Sequence, residues 1–96
     1  MATSLQGPAR LRLRLYVAGN APNSVRAIAN AKAICEEHFA AAHELEIVDL
    51  LEQPRRAMED EVIVTPTLIK LSPSPVQRVI GSLSDTNQVL SALVSR

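Results

Sequence analysis

The sequence predicts a single α/β domain in which a mixed four-stranded sheet carries helices on both faces, in the order βαβαββα. Three observations predict it. Leu11-Arg12-Leu13-Arg14-Leu15 alternates strictly and runs into the apolar Tyr16-Val17-Ala18; an alanine-rich helical stretch and a second β-patterned segment follow, which together make a βαβ unit. A ten-residue apolar and β-branched run, Val62 to Leu71, carries a proline in its middle, at Thr65-Pro66-Thr67. The chain then closes with a short β-patterned segment, a glycine and a helix opening at Ser84 or Asp85.

Residues 1–10 are small and polar around Gly7-Pro8 and are expected to form a disordered lead, leaving residues 11–96 as the domain. In the first strand the alternation followed by continuous apolar residues describes a segment that passes from solvent into the interior. Gly19 to Ser24 is the turn, with Asn20 as the expected N-cap and Pro22 in the first helical turn, where its missing N–H costs nothing. The first helix should run from about Ala21 to Phe39, burying a stripe of Val25, Ile28, Ala31, Cys35 and Phe39 with Ile34 beside it. Leu45 to Leu50 reads as a second strand, parallel to the first because a helix intervenes. Gln53 to Asp60 opens with Pro54 and reads as a short polar helix. Pro66 should start the third strand, since a proline inside a ladder removes a donor; an X-Pro bond at such a position is a common cis peptide, and Thr65-Pro66 is expected to be cis. Ser72-Pro73-Ser74-Pro75 breaks that strand, Val76 to Ile80 returns, Gly81 ends it, and the last helix passes through Val89, Leu90, Leu93 and Val94.

Bulk composition narrows the function. Ninety-six residues support one modest core, and ten basic residues cancel ten acidic ones, so no global attraction to nucleic acid or membrane is expected. Tyr16 and Phe39 are the aromatic residues, too few for a base-stacking platform. Cys35 is the single cysteine, which permits neither an intrachain disulfide nor a zinc cluster and fits a reducing cytoplasm. The first residues show no signal peptide, and no apolar segment approaches the roughly 20 residues that span a bilayer. His38 and His43 have no partner at metal-ligand spacing and read as surface histidines, and Met58-Glu59-Asp60-Glu61 reads as a solvated acidic face. No metal or cofactor is expected, and no nucleophile–base pair or phosphate-cradling loop suggests an enzyme.

The Pro-headed strand, return strand, glycine and closing helix resemble the second half of the thioredoxin fold. Redox thioredoxins place a Cys-x-x-Cys at the start of the first helix, where the helix N-terminus lowers the thiol pKa. Here that loop is Gly19-Asn20-Ala21-Pro22-Asn23-Ser24, without a thiol, and Cys35 lies about four turns further along the apolar stripe. Disulfide exchange is therefore excluded. The same resemblance offers a second function class, a glutathione-type small-ligand module using the backbone beside the cis-proline and Ser84-Asp85; helix capping explains that pair as well.

Leu15-Tyr16-Val17-Ala18-Gly19-Asn20-x-Pro22-Asn23-Ser24-Val25-Arg26-Ala27 resembles the opening of the KaiB family of cyanobacterial clock proteins. The likeness continues through Ile47-Val48-Asp49-Leu50, Pro54, Thr65-Pro66-Thr67-Leu68 and Arg78-Val79-Ile80-Gly81-x-Leu83-Ser84, covering roughly residues 11–94. What it implies is a non-enzymatic adaptor, a divergent paralogue acting in circadian or related timing or stress regulation, that binds the ATPase ring of a KaiC-like hexamer, where KaiB proteins capture KaiA and displace the histidine kinase SasA. It carries partner-binding roles to Arg26 and Arg78, with Asn23 and Arg55 beside them; a guanidinium can fork onto a partner carboxylate. Two positions depart from the family pattern. Gln77 precedes Arg78 where two arginines are usual, and Glu46 stands where a lysine is frequent, reversing a charge on the surface the resemblance assigns to KaiA.

The resemblance also implies two folds for one sequence: a tetrameric ground state with a different C-terminal half, and a monomeric thioredoxin-like state that binds KaiC. In this chain Ser91-Ala92 replaces a glycine and an acidic residue, and Arg96 ends the sequence given. Alanine favours helix over glycine by roughly 1 kcal/mol, and a cation near a helix C-terminus adds about 0.3–1 kcal/mol. The chain is accordingly expected to rest mainly as a thioredoxin-like monomer, helical over residues 85–94.

Overall fold

In the computed structural model, which describes residues 11–94, the alternation of the first strand divides the molecule into a large apolar side and a smaller, polar one. The elements are β1 (Leu11–Val17), α1 (Pro22–His38), β2 (His43–Asp49), α2 (Pro54–Glu59), β3 (Thr67–Ser72), β4 (Gln77–Ile80) and α3 (Thr86–Leu93). This is the expected βαβαββα order. The four strands lie in the spatial order β2-β1-β3-β4, with β1 parallel to β2 and antiparallel to β3, and β3 antiparallel to β4. The expected lead at residues 1–10 and the terminal Arg96 lie outside the described residues.

Leu11, Leu13, Leu15 and Val17 project to one side and meet Ala27, Ala31, Ile34 and Cys35 of α1, Val89 and Leu93 of α3, and Leu68 and Val79 of the antiparallel strands. On the other side Tyr16, Val48 and Ile69 meet Ala57 of α2. The sheet thus carries α1 and α3 on one face and α2 on the other. Alanines at 27 and 31 let α1 approach the sheet closely, and burial at the helix–sheet contact pushes the Cys35 thiol up, away from thiolate chemistry.

Three local expectations are corrected. Pro22 occupies the first helical position, so the N-cap is Ala21 rather than Asn20, and no side chain caps α1. The buried stripe keeps Ala31, Ile34 and Cys35 as expected, with Ile28 and Phe39 partly buried, but at the start of α1 Val25 is half exposed and Ser24 is buried, its Oγ accepting the Ala18 N–H at 3.0 Å. His43 also differs from a surface histidine, being half-buried with Nδ1 2.8 Å from the Phe39 carbonyl.

The Thr65–Pro66 peptide is cis, immediately before β3, as are Ser72–Pro73 and Ser74–Pro75 in the turn that follows. Thr67 Oγ1 donates to the Val64 carbonyl at 2.7 Å, and the Gly81 N–H donates to the Pro66 carbonyl at 3.0 Å, fixing the start of β3 against the end of β4. Gly81 adopts a φ of +113°, a conformation suited to glycine, where β4 ends. Asp85 caps α3, its Oδ1 accepting the Gln88 N–H at 3.1 Å.

Replacing Asp85 by alanine removes that acceptor and should cost about 1 kcal/mol, or about 4–8 °C in a thermal melt of a domain this size. An unchanged midpoint would mean that α3 does not depend on its cap.

Candidate partner-binding surface

Register places the candidate residues. Because β1 and β2 run parallel and β3 antiparallel to them, the end of β1, the end of β2, the start of β3 and the end of β4 fall at one end of the sheet. The α1 N-terminus with Asn23 and Arg26, Leu50-Leu51, and the Ile63-to-Pro66 segment all emerge there. Two bonds from Asp49 Oδ1 hold this end together: Gly19 N–H donates at 3.1 Å and Leu51 N–H at 2.9 Å. Asn30 Nδ2 donates to the Ser82 carbonyl at 2.9 Å and ties α1 to the loop after β4.

Arg78 sits on a different surface. It pairs with Ile69, which pairs with Arg14, which pairs with Glu46, so these four form one row across the α2 face. From β4 the Arg78 guanidinium donates to the Glu61 carbonyl at 3.2 Å and to the Asp60 carbonyl. Both acceptors lie at the C-terminal end of α2, where carbonyls are left without helical partners and a cation is favoured. Glu61 has a φ of +56°, a left-handed conformation costly for a side-chain-bearing residue, and Arg78 braces it. Arg78 therefore has a use in the fold as well as an exposed position.

The structure assigns Asp60 a role that a solvated acidic run does not suggest. Its carboxylate receives Arg14 Nη1 at 2.9 Å, and its Oδ2 lies 2.5 Å from the Tyr16 hydroxyl, which has the Arg56 carbonyl as a second acceptor at 2.9 Å. Glu46 is likewise engaged. It accepts Arg14 Nε at 2.8 Å and both terminal nitrogens of Arg56, at 2.6 and 2.9 Å. The reversed charge expected on β2 is thus balanced within the molecule. Arg12 pairs with Glu44 at 3.3 Å, one step further along the same face.

These contacts shift the titrations. Hydrogen bonds from Arg56 and then Arg14 hold the Glu46 carboxyl down at about 2, and the Tyr16 hydroxyl, followed by Arg14, lowers that of Asp60. Burial, then the bond to Asp60, pushes the Tyr16 hydroxyl up to about 12.

Among the described arginines, Arg12, Arg14 and Arg56 pair with carboxylates, and Arg26, Arg55 and Arg78 do not. Arg26 Nη1 donates to Asn23 Oδ1 at 3.0 Å, both residues being exposed, and Arg55 is exposed on α2. Large apolar side chains accompany them: Ile63 is 93% exposed, Met58 77% and Leu51 68%. Sequence reasoning singled out the three arginines but not this apolar company or the Asp60 junction. No group of three metal-ligating side chains converges among the described residues, and no described helix is long and apolar enough to cross a membrane.

The chain matches the KaiB domain over residues 14–94. It is 51% identical over 84 residues to the circadian clock protein KaiB3 of Synechocystis sp., covering 88% of this chain and 82% of that protein. It is 51% identical over 81 residues to the circadian clock oscillator protein KaiB of Prochlorococcus marinus, covering 84% and 76%. Among solved structures, the N-terminal domain of Synechococcus elongatus SasA superposes with a TM-score of 0.73 at 29% identity, over 100% of this chain and 95% of that one. Mitochondrial thioredoxin 3 of Saccharomyces cerevisiae superposes with a TM-score of 0.71 at 14% identity, over 86% and 76%, which shows the thioredoxin-like fold alone.

Glu46 and Asp60 have depressed folded-state pKa values, so their stabilisation is complete above the unfolded carboxyl range, about 4.3 for Glu and 3.9 for Asp, and is lost as pH falls toward the folded values. An acid titration of stability should therefore decline below about pH 4.5, and Glu46→Gln should flatten that decline while lowering stability at neutral pH. A variant curve parallel to wild type would show that Glu46 does not stabilise the folded state through its charge.

Proposed function

The chain belongs to the KaiB family, and from that premise we propose that it works as a KaiB-type adaptor, a binding module without catalysis that docks on the ATPase ring of a KaiC-like hexamer. The observation that carries the reading is the set of arginines lacking a carboxylate partner among the described residues: Arg26, Arg55 and Arg78. Arginines left with neutral partners or solvent keep their capacity for bidentate bonds to a partner's carboxylates. Exposed apolar side chains at Met58 and Ile63 supply the area that an interface of this kind desolvates. Asn23 presets Arg26 for this role by accepting from it. The likeness to the SasA N-terminal domain supports the same manner of docking, with a SasA-type kinase as the competitor for the ring. Capture of KaiA is not part of the proposal, because Glu46 is held by Arg14 and Arg56. Nor is a glutathione site: Asp85 caps α3, and Ser84 Oγ lies 3.1 Å from Ser82 Oγ.

The resting state proposed is the thioredoxin-like monomer in the cytoplasm. Ser91 and Ala92 lie within α3, and neither carries the helix penalty of glycine. Backbone chemical shifts should report helix over 86–93 and strand over 67–72 and 77–80, with a monomer by sedimentation. Strand signals after residue 85 together with a tetramer would place the chain in the other state.

Binding to a purified KaiC-type hexamer tests the adaptor reading. Arg26→Ala and Arg55→Ala should each raise Kd by about 30-fold, the equivalent of roughly 2 kcal/mol, and change stability by no more than about 0.5 kcal/mol. Arg78→Ala should weaken binding and also lower the melting temperature, because it releases the Asp60 and Glu61 carbonyls. Undiminished affinity in all three variants would contradict the assignment.

A further inference from the structure

We propose that α2 is fastened to the sheet by an ionic latch, with Glu46 holding Arg56 and with Arg14 and Tyr16 holding Asp60, and that this latch opens as a unit while the α1/α3 side stays folded. The consequence for Arg55, which α2 displays to solvent, rests on the adaptor reading; the latch itself does not.

The two sides of the sheet are built differently. Among the described residues thirteen buried ones join α1 and α3 to the strands, whereas four, Tyr16, Val48, Ala57 and Ile69, form the cluster under α2. Of α2 itself only Ala57 is buried, and Met58 points into solvent. A six-residue helix is far too short to be stable alone, and one buried methyl group does not hold it. Val62, Leu50 and Leu71 pack against that cluster only partly buried, and the other contacts that reach the segment are polar. Arg56 in the helix reaches Glu46 on β2, Asp60 at its end receives Arg14 and Tyr16 of β1, and Arg78 of β4 grips the Asp60 and Glu61 carbonyls. Strands β1, β2 and β4 thus each contribute a polar or charged group to one short segment, and the charged partners are partly exposed: side-chain exposures are 21% for Arg14, 31% for Arg56, 27% for Asp60 and 45% for Glu46. Exposed ion pairs weaken as salt screens them, whereas the apolar side does not. Detaching this segment would move Arg55 and Met58 together. Arg14, Glu46 and Arg56 are then positioning residues for the surface that α2 presents.

Native-state hydrogen exchange on the free protein tests this without any partner. The amides to follow are Asp60, Glu61 and Val62, which donate to the Arg56, Met58 and Ala57 carbonyls, against Leu13 and Leu15 in β1 as the reference. In wild type the three should exchange through a smaller opening than the β1 amides, and raising NaCl from about 0.05 to about 1 M should speed them about tenfold with β1 unchanged. Glu46→Gln and Asp60→Asn should produce a similar acceleration at low salt and remove most of the salt dependence; Arg55→Ala should do neither. If the α2 and β1 amides exchange together at every salt concentration, in wild type and variants alike, the latch does not exist. An observed latch with no ring binding would leave it standing and overturn the adaptor reading instead.

Discussion

One carboxylate organises the α2 side of this molecule. Asp60 takes Arg14 and the Tyr16 hydroxyl on its side chain and Arg78 on its carbonyl, so β1, β4 and the end of α2 meet at one residue. Without it the Tyr16 hydroxyl would lose its charged acceptor at the edge of the small cluster, and Arg14 would keep Glu46 alone. The left-handed Glu61 follows directly, and its carbonyl is held by the same Arg78.

The two faces of the sheet divide the work. The face under α1 and α3 is an aliphatic core that sets the fold and leaves Cys35 inert. The face under α2 is a thin apolar layer roofed by ion pairs, and its arginines fall into two groups. Arg14 and Arg56 satisfy internal carboxylates, whereas Arg55 and Arg78 are exposed without a carboxylate, Arg78 holding the Asp60 and Glu61 carbonyls. Arg26 joins the outward group from the N-terminus of α1, at the sheet end where the segment before β3 also emerges. A surface with exposed cations and apolar side chains on an otherwise charge-balanced chain suits recognition of another protein, in keeping with the family to which the chain belongs.

Most of the fold was legible because its signals are local. The Leu-Arg alternation marks β1, Pro54 opens α2, and Gly81 and Asp85 punctuate the last helix. The misreadings arise where a distant partner decides. Val25 matches the stripe as well as any residue in α1, but Ser24 is the residue buried at the helix start, where its hydroxyl satisfies a backbone N–H of the preceding loop. Asp60 lies in an acidic run that looks solvated until β1 brings Arg14 and Tyr16 over it. Glu46 reads as an exposed reversal of charge until α2 folds back and places Arg56 on it. Lys70 is 1% exposed in the centre of β3, a burial that its alternation with Ile69 and Leu71 does not reveal. The candidate arginines were found by resemblance; which of them stay free of carboxylates among the described residues could be learned only from tertiary pairing.

The proposed partner surface is the α2 face and the adjoining end of the sheet. Amide exchange of the chain, free and in complex with a KaiC-type hexamer, should show new protection at residues 23–26, 54–66 and 78–82, with the outer edge of β2 at residues 43–47 unchanged. Protection confined to that β2 edge, or spread over α3 without the 54–66 segment, would contradict it.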